Sequence, residues 1–511
     1  MRVDPASPDE PLLPPSSGPT IPSLSAGDVA VGGAWLLAGT LVGQAMLVVV
    51  TLFLAKRFGA DRYGLYALAT AVVVMVQPLG ALGLPVAVVR FVASAASSND
   101  RRGISGALLS STLLSLVMSG AVAALVVVLA PWISTTVVSE PRLTPLLRWA
   151  ALGLPFLVLL ELVAAFARAL GLMVIASACR AARAVALLVF VVTVAETGHL
   201  TPTSAVVLYG LAPLAAVLLA VALGAWRAAP LLGRPPTMNM RVMGRYGIPL
   251  VASTLLYAIW PRIDRLVVGS IFDTATVGVY ALVVSIAINI NLIHENLVGA
   301  FLPALAERHF RGDSPAAARL FRTVTRIDTA VAFPIVLVAV LSWQDVLAAV
   351  GPGFVRATGP GIILSIAIYL AIMTGPTEGL LSVTDRQKIE AFNSGLALFV
   401  GLIAEIALGR TIGLAGIAWA SVVATLLLNG LHLFQINKYY GFHPFTRDHV
   451  AFVTITLAVL IVGGFLGRDA DAGVRFAFGV PTLLIYAAVA WRRERAALTE
   501  LVRSRRAAKA A

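Results

Sequence analysis

The chain has 511 residues, 59% of them hydrophobic and only 12% charged, against roughly 45–50% apolar and about 25% charged in a soluble domain. This excludes a soluble globular protein and points to an all-α polytopic membrane protein, because the apolar residues gather in blocks long enough, at ~20 residues, to cross a bilayer as helices. The net charge of +13 fits basic cytoplasmic loops and does not require nucleic acid as a partner.

Residues 1–30, rich in Pro and Ser and carrying Asp4, Asp9, Glu10 and Asp28, have no basic start, short apolar core or cleavage site. They read as a disordered cytoplasmic tail rather than a signal peptide. Apolar segments follow at about 31–55, 65–89, 105–130, 145–167, 181–197, 204–226, 248–271, 278–301, 325–343, 360–381, 391–409, 413–436, 450–467 and 474–491. Fourteen crossings place both termini on one side, and most of the 38 Lys and Arg fall on that side, which predicts both termini in the cytoplasm. The basic tail 492–511 reads as a helix along the inner membrane surface.

Gly64-Leu65-Tyr66-Ala67-Leu68 returns as Gly278-Val279-Tyr280-Ala281-Leu282, an offset of 214 (278 less 64). The flanking apolar segments and the polar loops 97–104 and 309–318 keep nearly the same offset. The chain therefore divides into an N-lobe (31–230, six segments), a cytoplasmic linker (231–247), a C-lobe (248–437, six segments) and an added pair (450–491). Two halves that both start inside run in the same direction, and transporters built this way bind substrate between the halves and rock one against the other.

An ionisable group at bilayer depth costs about 2.5–3.5 kcal/mol and needs a reason. Trp260-Pro261-Arg262-Ile263-Asp264-Arg265 is the densest such cluster. Arg262 and Arg265 share a helix face, Asp264 can neutralise one of them, and Pro261 predicts a kink. The arginines suit an anionic head group, or else anchor the helix at an interface with an internal ion pair. Asn289, Asn291, His294, Glu295 and Asn296 make the next segment polar, either lining a cavity or hydrogen-bonding neighbouring helices. Glu161 and Glu378 stand at related places in the two halves, as a proton- or ion-sensitive latch or as ion pairs with Arg168 and Arg386. Glu405 has no evident partner, and Asn429, His432 and Gln435 read as packing. Gln44 and Gln77 are candidate cavity residues of the first half, and Arg90 can meet an incoming phosphate from the cytoplasm.

Cys179, the single cysteine, excludes an intrachain disulfide, and the six histidines lack metal-binding spacing, so neither a metal nor another cofactor is expected. No P-loop and no G-x-S-x-G occurs, and loops of about twenty residues leave no room for a catalytic domain. No catalytic residues are assigned, and the chain is not read as an enzyme.

The set Gly59-Ala60-Asp61-Arg62-Tyr63-Gly64-Leu65-Tyr66, Gly83-Leu84-Pro85, Arg90, Tyr246-Gly247-Ile248-Pro249, Asp264-Arg265-Leu266-Val267-Val268-Gly269 and Val277-Gly278-Val279-Tyr280 resembles the polysaccharide or O-antigen flippases of the Wzx type, within the multidrug/oligosaccharidyl-lipid/polysaccharide exporter superfamily. The resemblance spans residues 31–491. It implies a fourteen-helix, two-lobed carrier that moves a polyprenyl-pyrophosphate-linked oligosaccharide from the inner to the outer leaflet of the cell membrane without ATP. Its implied partners are that lipid-linked oligosaccharide, membrane lipids, and a polysaccharide polymerase or glycosyltransferases. The competing readings are a cation-coupled multidrug antiporter of the same superfamily, a lipid II flippase, and a membrane-embedded glycosyltransferase or polymerase.

Overall fold

Residues 26–229, 232, 240–384 and 386–489 are described by the computed structural model, the side chains of 26–34, 36, 37, 226–228, 249, 252 and 253 excepted. The basic tail lies outside the described residues, as does the N-terminal tail before Ala26. The described chain is nearly all helical and contains no strands. In hydrocarbon a helix satisfies its backbone groups internally, so long apolar blocks have little alternative.

In chain order, the first half comprises α1 (Ala26–Ala81), α2 (Leu84–Ser97), α3 (Arg101–Trp132), α4 (Leu143–Leu152), α5 (Leu154–Ala169), α6 (Met173–Glu196) and α7 (Pro202–Ala228). Then come α8 (Met240–Ile259), α9 (Ile263–Ile271), α10 (Thr274–Ala287), α11 (Asn291–Phe310), α12 (Ser314–Val350), α13 (Thr358–Ile372), α14 (Thr377–Val383), α15 (Gln387–Ile412) and α16 (Leu414–Tyr440). The last pair is α17 (Arg447–Asp469) and α18 (Ala472–Val489). The polar loops seen in the sequence become helix starts. Asp100 accepts from the Gly103 amide at 2.8 Å to cap α3, and Asp313 accepts from the Ala316 amide at 3.0 Å to cap α12.

Twelve stretches among the described residues are long and apolar enough to cross a membrane. The first, 60 residues long, contains two helices joined across a kink at Gly59. The segment expected at 248–271 is not among the twelve, because it is divided into α8 and α9. A count of fourteen crossings depends on taking the kinked stretch twice and the divided one once. Within the stretch expected as a linker over 231–247, α8 already starts at Met240.

Interrupted helices dominate the second half. The kink expected at Pro261 is a complete break over Trp260–Arg262. A single 3₁₀ turn, Ile288–Ile290, separates α10 from α11, and Met373–Pro376 separates α13 from α14. The two parts of the broken helix pack differently: α8 lies chiefly on α1, α2 and α3, whereas α9 lies chiefly on α10 and α15 and touches α1 and α16 as well. One apolar core holds both sequence copies, with Tyr66, Ala67 and Leu68 in the same cluster as Tyr280, Ala281 and Leu282.

The two copies also meet backbone to backbone. A Cβ on Gly64 would stand 1.9 Å from the Thr274 carbonyl oxygen, and one on Gly278 would stand 1.9 Å from that of Ala60. Residues 60 and 64 correspond to 274 and 278 at the repeat offset, so the contact is reciprocal. Only glycine allows so close an approach at both places. Beside it the Arg142 guanidinium donates to both Asp61 carboxylate oxygens at 3.0 Å, to both Glu140 oxygens at 2.8 Å, and to the Thr274 hydroxyl at 3.3 Å. Thr274 in turn donates to Asp61. This clasp ties residues of the first half to the start of α10.

Candidate functional site

Three arginines approach one another where the broken helix meets the first half. Arg262 closes the break and Arg265 sits one turn further on α9. Arg183 lies on α6, ten residues or ~15 Å from that helix's start, and so well inside an apolar span. Arg262 feels the like charge of Arg265 first and that of Arg183 as well. The Arg183 guanidinium stands over the Tyr209 ring, 4.9 Å from its centroid. Tyr209 meets Tyr66 edge-on at 6.4 Å, and Tyr66 is followed by Tyr63 at 6.1 Å. The Tyr63 hydroxyl reaches Ser285, which also accepts from Arg265 at 3.3 Å. The tyrosine of the first sequence copy thus backs the arginine group.

Among the described residues none of these three arginines has a carboxylate within ion-pair distance. Arg183 and Arg265 each keep a buried Nε with no acceptor, and the Arg262 side chain donates only to the Ala258 carbonyl, at 3.1 Å. Asp264 feels the opposite charge of both neighbours but makes no close ion pair with either. Its carboxylate accepts the Arg265 backbone amide at 2.7 Å and turns toward Glu405 of α15. Both acids are buried, 8% and 7% exposed, and Glu405 Oε2 has no hydrogen-bond partner. Unpaired guanidinium groups in a low-dielectric setting are costly unless an anion visits them.

A second, acidic group faces them. Glu295 on α11 and Glu378 on α14 are exposed, and the Asn291 amide donates to Glu295 at 3.0 Å. Tyr257 of α8 stands by both glutamates and by Arg262. Asn289 instead spends its amide on the Ser285 carbonyl at 2.7 Å, and Asn296 does the same on Leu292 at 2.6 Å. In the first half, exposed Glu161 has Arg183, Arg180 and Arg168 around it and hydrogen-bonds Gln77. The ion pair weighed for Glu378 with Arg386 does not form, because Arg386 stacks on Tyr439 at 3.7 Å. Gln44 is half-buried on α1 and makes no side-chain hydrogen bond among the described residues. Arg90 is exposed and stands over the Tyr246 ring at 4.6 Å, apart from both groups in sequence and packed where α2 meets α8. Asn429 and Gln435 do pack, on Thr374 and Asn393, while His432 pairs with Glu390 at 2.6 Å.

Sequence reasoning did not single out Arg183, and it missed the facing of Glu405 on Asp264. Arg180 and Arg183 fall on one face of α6 three residues apart, and that spacing was the available signal.

The arrangement is that of a membrane carrier with charged groups between its two halves. The chain matches the polysaccharide biosynthesis protein family over residues 29–309, more than half its length. The chain belongs to that family. No curated protein matches it. Among solved structures it is similar to the eukaryotic MATE transporter AtDTX14, at 14% identity and a TM-score of 0.59, over 87% of this chain and 98% of that one. It is similar also to a multidrug resistance MATE family transporter of the MOP superfamily in two conformations. The inward-facing one gives 14% identity and a TM-score of 0.58 over 82% and 96% of the two chains, and the outward-facing one 12% and 0.58 over 82% and 99%. These likenesses establish a MATE-like fold for this family member, and neither family nor neighbours are enzymes.

Proposed function

We propose that this protein is a flippase that carries a polyprenyl-pyrophosphate-linked oligosaccharide from the inner to the outer leaflet of the cell membrane, by alternating access and without ATP hydrolysis. The observation that carries the reading is the group of Arg183, Arg262 and Arg265, contributed by both halves and holding no carboxylate partner. A pyrophosphate supplies the acceptors these donors lack, and bidentate guanidinium recognition suits it. Both termini then lie in the cytoplasm, Glu161 and Glu378 act as coupling groups, and a polymerase or glycosyltransferase receives the product. An inside-negative potential favours outward movement of the anion by about 2.3 kcal/mol per charge per 100 mV.

A second reading, a cation-coupled multidrug antiporter, is favoured by the buried Asp264–Glu405 pair. The unpaired arginines count against it, since they repel cationic drugs. Binding of geranylgeranyl pyrophosphate to the purified protein separates the two. A hydrogen bond to a charged group contributes about 1.5–3 kcal/mol. Arg183→Ala and Arg262→Ala should therefore each weaken binding roughly 10- to 100-fold, while melting temperature is held. Full affinity in the double variant, or ethidium efflux with no pyrophosphate binding, overturns the flippase reading.

A further inference from the structure

Two of the helix breaks in the second half bring titratable side chains together around α12. The 3₁₀ turn Ile288–Ile290 is followed at once by Asn291, His294 and Glu295. The break before α14 is followed by Glu378. At that break Gly375 has φ 79°, and a Cβ there would lie 1.9 Å from the Thr325 hydroxyl, so the break is seated on α12 one turn from Asp328. Helices interrupted at membrane depth are where transporters hold coupling ions, because freed backbone and buried polar groups converge there.

At the centre is a histidine–carboxylate dyad. His294 Nδ1 contacts Asp328 Oδ2 directly. Asp328 is fully buried, and its Oδ1 has no hydrogen-bond partner. The hydroxyls of Thr325 and Thr329, one turn to the N-terminal side and the next residue along, donate to the Phe321 and Thr325 carbonyls instead, at 2.9 and 2.7 Å. Among the described residues the imidazole is therefore the only hydrogen-bond partner of this buried carboxylate, and its own side chain keeps 21% exposure. A carboxylate taken out of water and met by one imidazole is costly when unprotonated, and imidazole is the side chain whose charge changes near neutral pH. Among the described residues, charged groups near it include Glu295 on the helix of His294, Glu378 on α14 and Arg326, two residues before Asp328 on α12. Glu378 in turn faces the Glu390–His432 pair of α15 and α16, and beyond it lie Tyr257 and Arg262.

We infer that His294 and Asp328 form a proton-binding site that ties occupancy of the arginine group to pH. Without its proton the dyad carries one negative charge, which adds to Glu295 and Glu378 and opposes an anion at Arg262. Proton uptake removes that charge. Anion binding and proton binding at the dyad therefore favour each other, by the reciprocity that linkage requires. The link to an anion rests on the flippase reading; the proton site itself does not.

Two measurements test this on the full-length protein. The first is the affinity for geranylgeranyl pyrophosphate between pH 5.5 and 8.5. Uptake of one proton per anion tightens binding by up to about tenfold per pH unit as pH falls. His294→Gln, which can still hydrogen-bond Asp328 but cannot titrate, flattens that slope; a slope unchanged in His294→Gln overturns the proposal. The second is hydrogen exchange of the ligand-free protein at residues 288–296 and 373–378, corrected for intrinsic rates. A difference between pH 5.5 and 8 that disappears in His294→Gln supports the dyad even where no pyrophosphate binds, an outcome that sinks the flippase reading alone. Exchange that is the same at both pH values in the unsubstituted protein overturns the dyad.

Discussion

At the scale of the residue, charge placement divides into groups that are satisfied and groups that are not. Glu140 belongs to the first kind. Its carboxyl is held below the ordinary carboxylate value of 4.5, chiefly by the side-chain hydrogen bonds from Arg142 and then by that residue's backbone amide. A depressed folded-state value means the stabilisation is complete above about pH 4.5 and is lost only as pH falls through the lower folded value. The melting temperature of Glu140→Gln should therefore sit below that of the unsubstituted protein by a constant amount from pH 6 to 8, and the gap should close on acidification below 4.5. A gap that widens on acidification would contradict the clasp. Arg183, Arg262 and Arg265 are the second kind. Arg262 and Arg265 were legible because they interrupt an apolar block. Arg183 was not, because it stands near the edge of its block and its companion, Tyr209, is 26 residues away (209 less 183) on another helix. Asp328 was overlooked for a similar reason: a lone acid beside Thr325 and Thr329 shows no pattern until His294 is folded onto it.

At the scale of the element, the breaks matter more than the helices. Proline at 261 removes a backbone donor, and the chain turns at Trp260–Arg262 with a tight bond from the Arg262 amide to the Ile259 carbonyl at 2.9 Å. Because α8 rests mainly on the first half and α9 mainly on the second, this point can take up a change of angle between them. Pro261→Ala should restore helical continuity and slow turnover several-fold, while the affinity for geranylgeranyl pyrophosphate stays within about twofold, since no arginine is removed. Spin labels on α8 and α9 would read the straightening as a narrower, longer distance distribution; an unchanged distribution with unchanged turnover would show that the break needs no proline. Sequence could announce this break through its proline. It could not announce Ile288–Ile290, where no proline or glycine stands and tertiary packing overrides local preference.

At the scale of the whole molecule, the membrane class and the recurrence of Gly64-Leu65-Tyr66 at Gly278-Val279-Tyr280 were readable, because both depend on pattern alone. What the recurrence does was not readable, since a close approach between backbones leaves no trace but a pair of glycines. Adding a methyl group at either one forces it against a carbonyl oxygen 1.9 Å away. Gly64→Ala and Gly278→Ala should each lower stability by about 1–3 kcal/mol. The double variant should lose less than the sum, because either substitution alone already parts the same two strands of contact. Melting curves of the three variants in detergent decide this, and strict additivity would mean that the two sites are independent.

That contact has a property of its own. Each copy presents to the other the same atoms it receives, which is the rule of a two-fold isologous interface between identical subunits. A half-length chain bearing one Gly-x-Tyr copy would need no second surface to pair with itself. The crossing at Gly64 and Gly278 has the form of a homodimer interface within a single polypeptide.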